Sequence, residues 1–173
     1  MPEYRIGFSR KNHILAKLIR ASTHSEASHC YIRRIDADSD MVLEAVGGHG
    51  VSLRPYSVFM SHGPPTVLAE YQIRGLPATL EAAWALAIAK VDSRYAWGQL
   101  VGDWLALQVE HVTGKRPKNP LASRAYVCSE LALYYLRRAG CVGFARLDET
   151  TVSPEDLWPI VQDHVEQFVR VAP

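Results

Sequence analysis

Two hydrophobic periods alternate along this chain. Tyr4 to Phe8 alternates as a strand does, and Asn12 to Arg20 then sets Ile14, Leu15, Leu18 and Ile19 on one helical face. Ala21 to Ala27, rich in Ser, Thr and His, reads as a loop leading into a strand over Ser28 to Ile35. A polar turn, Asp36 to Asp40, precedes a second strand from Met41 to Val46 that stops at Gly47 and Gly48, so these two runs predict an antiparallel hairpin. Val51 to Leu53 and Thr66 to Ile73 are further strands, separated by Pro55 and the breaker run His62 to Pro65.

Helical spacing takes over after Pro77. Ala78 to Val91 and Gly98 to Val112 predict two helices, the second carrying Leu100, Trp104, Leu107 and Val112. Thr113 to Arg124, with Gly114, Pro117 and Pro120, predicts a long surface loop that ends just before Cys128. A helix over Ser129 to Ala139 follows, closed by Gly140, a residue that tolerates the left-handed backbone beyond a helix end. Ser153-Pro154-Glu155-Asp156 joins an N-cap residue, a first-turn proline and acids at the start of a short helix, and Glu166 to Val171 reads as a last strand. The expected class is α+β, with a sheet of five or six strands packed against helices.

Composition narrows the picture. A chain of 173 residues, 48% hydrophobic, is enough for one sizeable core, which predicts a single domain over 1–173. Nineteen basic against eighteen acidic residues leave a net charge of +1, which supplies no field for nucleic acid or an anionic membrane. No apolar run is long enough to span a bilayer and no secretory leader is visible, so a cytoplasmic protein without stable membrane insertion is expected. Three cysteines, Cys30, Cys128 and Cys141, suit a reducing compartment better than a disulfide scaffold.

Cys128 has an address that favours thiolate, because a helix start offers backbone N–H groups and the positive end of the dipole. A small apolar core residue is the other reading of the same position. Cys30 and Cys141 have no such stabilisation in sequence and read as core or turn residues. A nucleophilic thiol needs a base and a group to orient that base. His29, at the start of the first hairpin strand, and Glu44, on the second, can supply both. His24, His29 and Cys30 would suit zinc by type, but His29 and Cys30 are adjacent on a strand and no Cys-x-x-Cys pair exists, so no metal is expected. Tyr126 lies two residues before Cys128, where its phenol could join the Cys128 N–H at an oxyanion, and Tyr95 in Arg-Tyr-Ala-Trp-Gly is a further candidate beside the substrate.

These stretches together resemble the permuted branch of the NlpC/P60 superfamily, the YiiX/YebB-like papain-related amidases. The resemblance runs through Leu18-Ile19-Arg20, Thr23, Ser25, Ser28 and His29, then Val42-Leu43-Glu44-Ala45 and Gly50-Val51. It continues through Tyr95-Ala96-Trp97-Gly98, Tyr126-Val127-Cys128-Ser129-Glu130-Leu131 and Ser153-Pro154-Glu155-Asp156-Leu157. Ordinary papain-like enzymes place the cysteine helix before the histidine strand. Here His29 and Glu44 come first, the order that circular permutation implies. The resemblance implies a papain-like fold with an antiparallel sheet, and a Cys128–His29–Glu44 triad. It also implies cofactor-free hydrolysis of an amide, often in a cell-wall-type peptide, through a thioester. A lipid-directed acyltransferase or thioesterase would use the same triad, and a silent binding module would keep the scaffold alone. A small peptide or acyl compound is the expected partner.

Overall fold

The computed structural model describes residues 1–10, 26–47, 49–61, 65–93, 109, 113–114 and 126–171. The elements in chain order are strands β1 (Glu3–Arg10), β2 (His29–Ile35), β3 (Asp40–Val46) and β4 (Gly50–Pro55), then helix α1 (Tyr56–Ser61). They continue with β5 (Thr66–Ile73), α2 (Pro77–Ile88), α3 (Cys128–Arg138), α4 (Pro154–Asp163) and β6 (Phe168–Val171). The strands form one six-stranded antiparallel sheet in the order β4-β3-β2-β1-β5-β6. The fold is α+β.

Alternation along the strands decides which side chains meet the helices. Tyr4, Ile6 and Phe8 of β1, Cys30 and Ile32 of β2, Leu43 and Ala45 of β3, and Ala69, Tyr71 and Ile73 of β5 all join the main core with α2, α3 and α4. Trp158 of α4 stacks on Phe8, ring centroids 5.2 Å apart, and its indole N–H donates to the Tyr71 hydroxyl at 3.1 Å. The intervening residues face the other side, where Tyr31 and Val42 bury against Phe59 of α1. That helix was not legible in the run after Pro55. Tyr56, at its start, lies under the Arg33 guanidinium, 3.4 Å from the ring centroid.

A row of three residues crosses this second face. Tyr31 and Glu70 flank Gly7 on its two neighbouring strands. The Tyr31 ring passes over Gly7, and its hydroxyl donates to Glu70 at 2.8 Å. Glu70 is almost wholly buried and also accepts from Arg33 at 3.0 Å and Arg5 at 3.1 Å. A Cβ at position 7 would lie 2.1 Å from the Tyr31 ring. Gly7→Ala therefore displaces Tyr31 and breaks its bond to Glu70. The expected loss is about 2–4 kcal/mol, combining overpacking with an unmade buried hydrogen bond. It should appear as a lower urea midpoint, and an unchanged midpoint would show that the ring can move at no cost.

Other expectations met the structure at their boundaries. The turn after β2 is built by Asp36, whose Oδ1 accepts from the Asp38 and Ser39 N–H groups. The helix expected over Ala78 to Val91 ends at Ile88, because the chain turns through Asp92 at φ 68° to bond β4: Asp92 N–H donates to Val51 C=O, and Val51 N–H to Ser93 C=O. The Ser153–Asp156 cap forms as the sequence predicts, with Ser153 N–H donating to the Asp156 carboxylate at 2.8 Å. The helix expected over 12–20, all of that over 98–112 but Val109, most of the loop over 113–124, and Tyr95 lie outside the described residues.

Candidate active site

Cys128 is the first residue of α3. Val127 before it is extended and has no side-chain oxygen to cap the helix, so Glu130 reaches back, its carboxylate accepting from the Val127 N–H at 3.4 Å. Ser129 Oγ donates to Val152 C=O at 2.6 Å, and Leu131, Ala132, Leu133, Tyr135 and Leu136 are buried against the sheet and neighbouring helices. The helix start is thus fixed on both sides while Cys128 itself stays partly exposed.

β2 begins with His29. In the β2–β3 ladder Ile32 stands opposite Leu43; the same register carried one residue further sets Glu44 opposite Tyr31, diagonal to His29. Diagonal pairs on one face lie within reach of long side chains. His29 Nε2 and Glu44 Oε2 are 2.6 Å apart, with both residues buried. The second Glu44 oxygen accepts from Arg54 of β4, which neighbours Glu44 by way of the Glu44–Ser52 pair. Arg54, which the sequence reading passed over, supplies a cation to a carboxylate with no solvent exposure and so offsets the cost of its burial. With Nε2 committed to Glu44, proton acceptance at His29 falls to Nδ1.

The Cys128 thiol is held well below the ordinary cysteine value. Its largest cause is a hydrogen bond with the Cys30 side chain, followed, against the opposing effect of burial, by the charge of His29 and a hydrogen bond with it. Adjacent strand residues point to opposite faces. One sulfur meets both His29 and Cys30 only because it sits at the end of β2, where the sheet no longer separates the faces. Cys30, read from sequence as core, is core and also a neighbour of the thiolate. Burial, and Cys128 beside it, push the Cys30 thiol up, so it remains a donor. Cys141 is pushed up to about 12 by burial alone. Ser9, paired with His29 in the β1–β2 ladder, is fully buried, and its hydroxyl has no hydrogen-bond partner among the described residues.

No family model and no curated protein matches the chain. Among solved structures it is similar to the crystal structure of the metalloprotein yiiX from Escherichia coli O157:H7. The two share 20% identity at a TM-score of 0.52, and the alignment covers 98% of this chain and 96% of that one. The fold is yiiX-like.

Within this yiiX-like fold, Tyr126 does not stand alone beside Cys128. Its ring lies 6.3 Å from Tyr134 in an edge-on contact, and the Lys90 ammonium sits 5.6 Å from its centroid. These contacts turn it along the flank of α3, and its sequence-based role as an oxyanion donor rests on its position alone. Among the described residues no group of three or more His, Cys, Asp and Glu side chains is disposed to hold a metal ion. None of the described helices is long and apolar enough to cross a membrane.

Proposed function

We propose that this chain is a cysteine hydrolase of the permuted NlpC/P60 type that cleaves an amide bond through a thioester acyl-enzyme. A cell-wall-type peptide is the substrate class the sequence resemblance implies. The support for the reading is a helix-start thiol held below its ordinary value by neighbouring Cys30 and His29, with His29 itself bonded to a buried carboxylate. His29 Nδ1 takes the Cys128 proton, and Sγ adds to the carbonyl carbon. The Cys128 backbone N–H and the helix dipole stabilise the oxyanion. The imidazolium then protonates the leaving nitrogen as the C–N bond breaks, leaving a thioester. A water, deprotonated by His29, attacks this thioester, and the acid departs with the thiol restored. Glu44 positions the ring and stabilises its cation, while Arg54 holds Glu44.

The solved neighbour is described as a metalloprotein. Two ligands on one tetrahedral zinc ion sit about 3.3 Å apart, given bonds of roughly 2.0 Å. His29 and Glu44 at 2.6 Å are in direct hydrogen-bond contact and leave no room for an ion between them. The His29–Glu44 pair therefore acts as a hydrogen-bonded dyad that serves the Cys128 thiol.

The test is acyl-enzyme trapping. p-Nitrophenyl acetate should release a burst of p-nitrophenol stoichiometric with protein and leave an acetyl group on Cys128, located by peptide mass spectrometry. Acetylation spread over lysines with no burst would overturn the assignment.

A further inference from the structure

A basic and aromatic cluster lies on the flank of α3, one step from the nucleophile. Lys90, just beyond α2, sits 5.6 Å from the Tyr126 ring centroid and 5.2 Å from that of Tyr134. The ammonium is thus shared between the two tyrosine rings. Arg138, one helical turn beyond Tyr134, places its guanidinium 5.2 Å from the same Tyr134 ring. The two cations converge on one aromatic ring, close enough that Arg138 opposes the charge on Lys90. Neither is in an ion pair with a carboxylate among the described residues.

Among the described residues Arg74, Arg146 and Arg170 likewise hold no acid, so what sets Lys90 and Arg138 apart is their convergence on one aromatic ring. By contrast, Arg5, Arg33, Arg34, Arg54 and Arg137 each hold a Glu or Asp. Two convergent cations backed by tyrosines and left without a counter-charge are the composition of an anion site, in which cations supply charge and phenols supply hydrogen bonds. Position ties the cluster to the reaction. Tyr126 is two residues before Cys128 and Tyr134 six residues after it, about 9 Å along the helix at 1.5 Å per residue.

We propose that Lys90, Arg138, Tyr126 and Tyr134 form a subsite that binds an anionic group, a carboxylate or phosphate, carried by the substrate whose acyl carbon reaches Cys128. The proposal rests on the Cys128 reading above and deepens it: the substrate is an anionic amide. The cluster lies to one side of the thiol, so recognition of the charge and attack on the carbonyl are separated by several bonds.

The experiment compares two thiol reagents of opposite charge, 2-sulfonatoethyl and 2-(trimethylammonio)ethyl methanethiosulfonate. Their rates of labelling Cys128 are followed by mass spectrometry in the native protein and in Lys90→Glu, Arg138→Glu and Arg74→Glu. Arg74 is exposed and follows β5 at the end of the sheet away from the β1–β2 pair Ser9–His29, so it controls for net charge. The anionic-to-cationic rate ratio should fall about tenfold in Lys90→Glu, and by less in Arg138→Glu, in the range over which local charge changes encounter rates. It should hold in Arg74→Glu, and inorganic phosphate should slow the anionic reagent in the native protein and in Arg74→Glu but not in Lys90→Glu. A ratio that drops equally in all three variants, or in none, would overturn the subsite. Failure of Cys128 to label faster than Cys141 with either reagent would instead sink the nucleophile assignment.

Discussion

Cys128→Ala should abolish turnover, lowering kcat on the order of 10⁴-fold or more, while the circular dichroism spectrum and urea midpoint stay close to those of the parent. The sulfur is partly exposed at the first residue of α3, so its removal opens no sealed cavity, and alanine is at home in a helix. The core beneath it, Leu131 to Leu136, is untouched. This asymmetry between activity and stability separates a nucleophile from a packing residue. If Cys128 served only as a small apolar group at the helix end, Ala would change neither quantity. Residual hydrolysis at the parental rate would end the cysteine mechanism.

The second large effect concerns the acidity of that thiol. His29→Gln keeps a hydrogen-bonding group for Glu44 and removes both the base and the positive charge. kcat should fall on the order of 10²–10⁴-fold, and the inflection of Cys128 alkylation should rise toward the free-thiol value of about 8.5. Cys30→Ala should move the inflection the same way, because the largest support of the thiolate is the Cys30 side chain. Cys30→Ser, which retains a donor, should restore it in part. The sign follows from linkage. A cysteine whose folded pKa is lowered is thiolate above that value and loses its charge as pH falls through it, so the acid limb of activity shifts upward in both variants. An alkylation profile of Cys128 that is identical in parent, His29→Gln and Cys30→Ala would show that the helix start alone sets the acidity.

The site divides into parts with different origins. His29 at a strand start, Glu44 on the following strand and Cys128 at a helix start are each readable from local pattern, because period, turn residues and helix termination depend on neighbours in sequence. Cys30 and Arg54 are of another kind. Cys30 in Ser28 to Ile35 looks like any small apolar strand residue, and only the docking of α3 across β2 brings it to the thiol of a residue far along the chain. Arg54 lies in an edge strand beyond a tight turn. Its meeting with Glu44 requires the β3–β4 register, which a shift of one residue would reverse. A charged residue inside an apolar strand run was the available signal, at Glu44 in Asp-Met-Val-Leu-Glu-Ala-Val and again at Glu70 in Thr-Val-Leu-Ala-Glu-Tyr-Gln-Ile. A buried carboxylate demands a cation.

By itself the sequence determined the α+β class, the β2–β3 hairpin, the Ser153 cap and the helix that Cys128 opens, since alternation, caps and turns are local energies summed along a segment. It left open the order of strands in the sheet, the face to which each polar residue turns, and the helix α1 after Pro55. It also did not reveal that Tyr126 joins Lys90 and Tyr134. Tertiary structure decided these, because they follow from burying one face of every strand at once. That requirement couples residues far apart in the chain, and no local window carries it.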